Sequence, residues 1–405
     1  MEKKLGFIPE AESIIREALE DIVKSGFVPG CGVMVGYKGE KVFEIYTGIA
    51  DKETGKAVSA DTRYRMYSMT KVFTVSAVMQ LWDRGLIRLN DPLSKFIPEY
   101  ANPVVAVCGM SGNYQLVPAE REIMIYDLLT MTSGIPYDAE GPTGKVISDI
   151  TARWAADKKE GKDWDTIRVA RELAKAPLLF QPGKYFQYGL SHDILGAVIE
   201  VITGKNLYEY LKENFFMPLG MDSAKFEIDE SNRELMAEVY GASGKPAKGM
   251  GSPIIDTSLG YDKPRFFSGG AGLVCTMGDY FKFVRMLAHN GTVDGKRYLS
   301  RKAIEMISTP QLNARQMQTY NAADESPNNI YRGYNYGFGV RVCTEPGISA
   351  DANSKGEYGW AGALGTWMFV DPEEDIFLVY VHQRTPVDHE AYMPQVCRAV
   401  YSALK

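Results

Sequence analysis

The pattern of apolar and polar positions changes character three times along the chain. Near the N-terminus, Ile14, Ile15, Leu19 and Ile22 recur at helical spacing, with Glu10, Glu12, Arg16 and Glu17 between and around them. That spacing predicts an amphipathic helix. Residues 29–51, "PGCGVMVGYKGEKVFEIYTGIAD", switch to alternating Val and Ile around the turn "YKGEK", which reads as two paired strands. A long middle returns to helical periodicity in "KVFTVSAVMQLWDRG", "MIYDLLTMTSG", "ISDITARWAADKK", "WDTIRVARELAKA" and "SHDILGAVIEVITG". Most of these segments end at glycine or a charged turn, as helices do. Strand patterning then comes back in "YGFGVRVC", "GALGTWMFVDP" and "DIFLVYVHQ", before a closing helix in "HEAYMPQVCRAVYSALK".

Strands at both ends and helices between them predict an α/β plus all-α fold. One antiparallel sheet is assembled from the two chain ends and flanked by helices, and a helical lobe is inserted. Residues 1–75 and 265–405 are expected to form the sheet lobe and residues 76–264 the helical lobe. The cleft between them is a natural place for an active site. A chain of 405 residues is long enough for this arrangement. "GASGKPAKGMGSP" and "NAADESPNN" read as loops, and no internal repeat occurs.

Composition adds exclusions. Hydrophobic residues at 45% and charged residues at 24% are ordinary globular values, and the formal charge of -6 disfavours nucleic acid or an anionic membrane as partner. The basic start lacks an apolar run of signal-peptide length, and no stretch of about 18 apolar residues occurs, so a cytoplasmic location is expected. Cys31, Cys108, Cys275, Cys343 and Cys397 are odd in number and free of C-x-x-C spacing, which reads as buried free thiols. His192, His289, His382 and His389 show no H-E-x-x-H arrangement, so neither a metal nor a cofactor is expected.

The candidate chemistry begins in "YRMYSMTKVFT", Tyr64 to Thr74. If a helix starts near Ser68, Lys71 at i+3 lies on the same face and can reach its hydroxyl. A helix N-terminus favours an anion there, and the apolar neighbours Met66, Met69, Val72 and Phe73 would lower the Lys71 pKa toward a neutral, basic amine. The pattern alone is ambiguous. Serine also caps helices, lysine favours them, and "SALK" at Ser402–Lys405 matches the same spacing.

Three further segments accompany the pair. "PLLFQPGKYFQYGLSHDILGAVIEVITG" places Tyr188 before an apolar helix. "PRFFSGGAGLVCTMGDYFKF" carries a glycine cluster, and "YGWAGALGTWMFVDPEEDIFLVYV" opens an edge strand with Trp360, Ala361 and Gly362. With "IYDLLTMTSGIP" and "FFMPLGMDSAKF", they resemble the serine β-lactamase-related hydrolases, a superfamily of class C β-lactamases, D,D-peptidases, esterases and acyltransferases. The resemblance runs from about Val33 to His382 in the family's order.

It implies that Ser68 is the acylated nucleophile, Lys71 its proton acceptor and Tyr188 the family's relay tyrosine. Whether Lys71 or Tyr188 holds the proton at rest stays open at this level. Trp360-Ala361-Gly362 takes the place of K-T-G, and the N–H of Ala363 would join that of Ser68 in the oxyanion hole. One such donor is typically worth about 10²–10³ in rate. Gly362 is expected to keep the strand edge open for a substrate. Gly269, Gly270 and Gly272 read as a tight turn near the cleft, Asp279 as a helix cap and Asp127 as a structural hydrogen-bonder.

Two departures shift the expected substrate. Leu190 stands where β-lactamases and peptidases carry Asn or Ser, and Trp360 replaces a lysine. An apolar side chain and an indole cannot make the charge-assisted bonds those residues make. Both replacements resemble the esterase branch, so a small-molecule acyl substrate, ester before amide, is expected, with Trp360, Ala361, Gly362 and Leu190 around it. The alternatives are a β-lactamase, D,D-peptidase or D-amino-acid amidase, and a non-catalytic binding protein on the same fold. An α/β-hydrolase is disfavoured because no G-x-S-x-G occurs.

Overall fold

The computed structural model describes residues 6–109, 112–247, 264–322, 331–349 and 352–405. Two expected loops, 241–253 and 321–329, lie partly outside the described residues. At the centre is an eight-stranded sheet. Its strands are β1 (Gly30–Tyr37), β2 (Glu40–Asp51), β3 (Lys56–Ala57), β4 (Tyr334–Tyr336), β5 (Arg341–Cys343), β6 (Tyr358–Ala361), β7 (Trp367–Asp371) and β8 (Ile376–Val381). Their spatial order is β4-β5-β6-β7-β8-β1-β2-β3, and every pairing is antiparallel. β1 pairs with β8, Gly32 opposite Val381 and Tyr37 opposite Ile376, so the sheet does join the two ends of the sequence. The expected strand "YGFGVRVC" splits into β4 and β5, because Gly337 N–H closes a turn on the Val340 carbonyl.

Eight helices matter for the site: α1 (Ala11–Lys24), α2 (Thr70–Asp83), α3 (Ile125–Leu129), α4 (Gly141–Lys159), α5 (Thr166–Leu173), α6 (Ser191–Thr203), α7 (Met277–Ala288) and α8 (Met393–Tyr401). The central strands are apolar almost without interruption because both sheet faces are covered. Alternation then decides which core each side chain joins. Cys31, Val33, Val35, Phe369, Leu378 and Tyr380 pack with residues of α1 and α8 into a rear core. Met34, Met368, Val370, Phe377, Val379 and Val381 face the larger front core, which holds α2, α6 and α7.

Helix α2 is buried along its length from Thr70 to Leu81, which is why its sequence is apolar on all sides. It crosses the lobe boundary expected at 75/76, so that boundary falls inside a helix. The five thiols are free, but Cys108 is exposed, contrary to the expected burial of all five. It lies on a hairpin, Val104–Cys108 against Tyr114–Pro118, that the sequence pattern did not reveal. No described helix is long and apolar enough to cross a membrane.

Candidate active site

Ser68 is held by the strand that precedes it and the turn that carries it. Arg63–Arg65 pairs with Val274–Thr276, and Met66 N–H continues the ladder to the Leu273 carbonyl. Tyr67 then adopts φ +45° although it is a buried aromatic residue. A left-handed non-glycine residue costs on the order of 1–3 kcal/mol, so its surroundings must enforce it. The chain enters a short 3₁₀ turn, Tyr67–Met69, which runs directly into α2. Ser68 is thereby left half-buried, while Lys71 in the first turn of α2 is fully buried.

Lys71 Nζ lies 3.2 Å from Ser68 Oγ. It also donates to the Gly270 carbonyl at 2.8 Å and to Tyr137 Oη at 2.8 Å. Burial lowers its pKa to about 7, while the Asp193 carboxylate acts in the opposite direction. Asp193 accepts hydrogen bonds from Ser268 Oγ at 2.5 Å and Gly270 N–H at 3.2 Å. A Cβ on Gly270 would stand 2.6 Å from Asp193 Oδ2, so glycine is required for the carbonyl to reach Lys71. The glycine cluster thus forms a turn at the site, and Thr74 Oγ1 fastens it by donating to the Gly269 carbonyl.

Tyr188 stands on the other side of Ser68. Its ring centroid is 4.7 Å from Lys71 Nζ, and the Ser68 side chain works against the effect of burial on its phenol. Trp360 Nε1 donates to Tyr188 Oη at 3.1 Å. Burial pushes the Tyr188 phenol above its ordinary value, and pushes that of Tyr137 well above. Burial thus moves the amine and the phenols in opposite directions: Lys71 toward neutral, both tyrosines toward the protonated form.

The third motif reaches Ser68 through backbone contacts. Strand β6 pairs with β7 up to Ala361↔Trp367 but with β5 only at Tyr358 and Gly359. The strand is therefore internal for its first half and open at Trp360 and Ala361, rather than an edge throughout. Beyond it, Gly362 and Thr366 dock on the turn before Ser68: Thr366 Oγ1 donates to the Met66 carbonyl at 3.2 Å, and a Cβ on Gly362 would lie 2.4 Å from that oxygen. The glycine expected to hold a strand edge open instead permits this contact. Among the described residues, the N–H groups of Ser68 and Ala363 donate to no main-chain carbonyl.

Three expected substrate contacts need correction. Leu190 has no exposed surface and lies in the front core at the start of α6, where helix packing claims its side chain. Ala361 points to the rear core, on the opposite face from Trp360, as strand alternation requires. Trp360 itself is 4% exposed, so its indole braces Tyr188 more than it faces the cleft. Asp279 is not the cap of α7; Thr276 is, accepting from Asp279 N–H, while Asp279 binds Ser223 N–H and Oγ. Asp127 is structural, clamped by Arg121 and accepting from Met124 N–H. Tyr137 and Asp193 were not singled out from the sequence, since a tyrosine after "SGIP" and an aspartate inside an apolar helix carry no chemical pattern of their own.

Comparisons with known proteins agree with this geometry. The family model for Beta-lactamase matches residues 15–396. Protein Rv1367c of Mycobacterium tuberculosis is 31% identical over 378 residues, covering 91% of this chain and 89% of that protein. Esterase EstB of Burkholderia gladioli is 28% identical over 354 residues, covering 84% and 82%. Among solved structures, EstCE1, a hydrolase with promiscuous acyltransferase activity, superposes with a TM-score of 0.76 at 23% identity, covering 97% and 98%. Simvastatin synthase LovD from Aspergillus terreus gives 0.79 at 22% identity, covering 98% and 99%. With its strands, Ser68 turn and third motif arranged as above, the chain belongs to the beta-lactamase family.

Proposed function

We propose that the protein is a serine carboxylesterase or acyltransferase that works through an acyl-serine intermediate. The observation that carries this reading is the hydrogen-bond valence of Lys71. A neutral amine has two N–H groups and one lone pair. As an ammonium Lys71 donates to Ser68 Oγ, Tyr137 Oη and Gly270 O together; once one proton has left, its two N–H groups can stay with Gly270 and Tyr137 and the lone pair faces the Ser68 hydroxyl 3.2 Å away. With a pKa of about 7, Lys71 is the resting base, and Tyr188, kept protonated by burial, is the resting acid.

Ser68 Oγ attacks the ester carbonyl and gives its proton to Lys71. The N–H groups of Ser68 and Ala363 hold the tetrahedral oxyanion. When the intermediate collapses, the carbonyl carbon–oxygen bond to the alcohol breaks and the departing oxygen takes a proton from Tyr188, which Lys71 replaces. Water or a second alcohol then repeats the sequence in reverse on the acyl-serine. The indole at Trp360, which offers no charge-assisted bond to a carboxylate, and the esterase and acyltransferase names of relatives such as EstB both favour an ester over a charged β-lactam or peptide substrate.

The test is a substrate panel on the purified protein: aryl esters of increasing acyl length, a chromogenic cephalosporin and D-alanyl peptides. Ester turnover exceeding the other two classes by several orders of magnitude is expected. A phosphonate should add mass to the peptide carrying Ser68, and labelling at another residue would refute the assignment.

A further inference from the structure

A cavity of about 610 Å³ opens beside Tyr188. Its walls are Leu179, Phe180, Tyr185, Phe186, Tyr188 and Tyr331, and among the described residues none that lines it carries a charge. The rings brace one another: Phe180 meets Tyr185 edge-on at 5.5 Å, and Phe186 meets Tyr336 at 5.2 Å. Tyr331 lies 6.2 Å from the Trp360 ring, which links this wall to the indole that holds Tyr188. Two polar members of the lining are engaged by the protein itself. Gln187 Nε2 donates to the Tyr188 carbonyl, while Thr319 Oγ1 accepts from Phe186 N–H and donates to the Gln316 carbonyl. Such a surface rewards burial of an uncharged ring and penalises a charge. Its volume is within the range of about 300–1,000 Å³ that holds small molecules.

We propose that this cavity receives the alcohol half of the ester, as an uncharged ring-bearing alcohol, whether that alcohol is leaving or accepting the acyl group. The proposal rests on the acyl-serine reading above. There, the Ser68 Oγ–carbon bond forms, the carbon–oxygen bond to the alcohol breaks, and the proton lost by Ser68 is made good on the alcohol oxygen by Tyr188 and Lys71. The alcohol oxygen must therefore come within hydrogen-bond reach of Tyr188 Oη. The carbon skeleton attached to that oxygen continues beside Tyr188, where the cavity lies. The acyl carbon, in contrast, is held at Ser68 beneath the Ala363 N–H.

Acetates of primary alcohols test this with nearly constant leaving-group basicity. Ethyl, 2-naphthylmethyl and 4-carboxybenzyl acetate are compared by kcat/KM, with ethyl 2-naphthylacetate carrying the ring on the acyl side instead. A preference of at least ~10-fold for 2-naphthylmethyl over ethyl acetate is expected, since even one well-placed methylene discriminates by about 10–200-fold. The carboxybenzyl ester should lose that preference. Leu179→Trp, which fills the cavity, should lower the naphthylmethyl-to-ethyl ratio several-fold, and the milder Leu179→Phe should lower it less. The wild-type ester series decides the matter even if both variants misfold. Equal kcat/KM for the two acetates, or a preference that follows the ring to the acyl side, overturns the cavity assignment while acetyl-Ser68 is still trapped by acid quench and mass spectrometry. If no ester acetylates Ser68, the acyl-serine reading fails instead.

Discussion

Lys71 and Glu357 are both buried, and the same cause moves their pKa values toward neutrality from opposite sides. Burial pulls the Lys71 amine down to about 7 and pushes the Glu357 carboxyl up to about 7. Glu357 lies just before β6, three residues from Trp360, and its Oε2 accepts from Asn353 Nδ2 at 2.8 Å. The nearby Arg341 charge works against the burial effect, as Asp193 does for Lys71. Electrostatics alone would rank the two sites equally. Their surroundings separate them: Lys71 shares its amine with a half-buried serine hydroxyl and lies against two phenols, whereas the Glu357 partners are an amide, a phenol and a guanidinium. A perturbed pKa marks a reactive site only where a nucleophile converges on it.

The comparison can be broken most severely at the nucleophile. Ser68→Ala should lower ester hydrolysis by roughly 10⁴-fold or more while leaving the circular dichroism spectrum and Tm unchanged. Residual activity near wild type in that variant would falsify the mechanism. Lys71→Met should cost about 10²–10⁴-fold in kcat, the span of a general base. In the wild type, kcat/KM should rise with pH through an apparent pKa near 7, because Lys71 is a base only when deprotonated. A flat profile from pH 5 to 9 would remove Lys71 from that role.

Trp360→Phe deletes the 3.1 Å bond to Tyr188 Oη. A lost hydrogen bond of about 1 kcal/mol corresponds to a loss of roughly 5-fold in kcat, with KM for ethyl acetate little changed. Glu357→Gln should have the smallest effect on catalysis, within 2-fold and with the same pH profile. Its signature is in stability. Because the folded pKa of Glu357 is raised from 4.5 to about 7, its contribution is fully present below pH 4.5 and is lost as pH rises through about 7. The variant should therefore gain Tm relative to wild type at pH 8 but not at pH 4.5, as read by calorimetry. An equal shift at both values would show that Glu357 does not titrate as its burial implies.

Much of this molecule could be read from its residues, and the unread parts share a cause. Apolar runs such as "GVMVGY" and "DIFLVYV" at the two ends of the chain identified strands and their joining in one sheet, and in the structure their alternate side chains enter two different cores. Ser68, Lys71 and Tyr188 were legible through local spacing and family order, and the structure brings them together, with Lys71 Nζ 3.2 Å from Ser68 Oγ and 4.7 Å from the Tyr188 ring centroid. Tyr137 and Asp193 were not, since their importance comes from contacts with Lys71 and Gly270 that no local pattern encodes. Leu190 was misread for a related reason. Its position in a motif suggested the cleft, while helix packing buries it. The Tyr67 conformation was equally hidden, because a tyrosine gives no hint of positive φ.

The pairing of β1 with β8 also has a consequence for biosynthesis. During translation Ser68 and α2 emerge early, but Gly32 must wait for Val381 to complete its ladder, and the Met66 carbonyl must wait for Thr366. Contacts so distant in sequence form late. A nascent chain therefore carries Ser68 long before it carries the loop with Ala363, and on the acyl-serine reading reactivity arrives together with the last strands rather than with the serine itself.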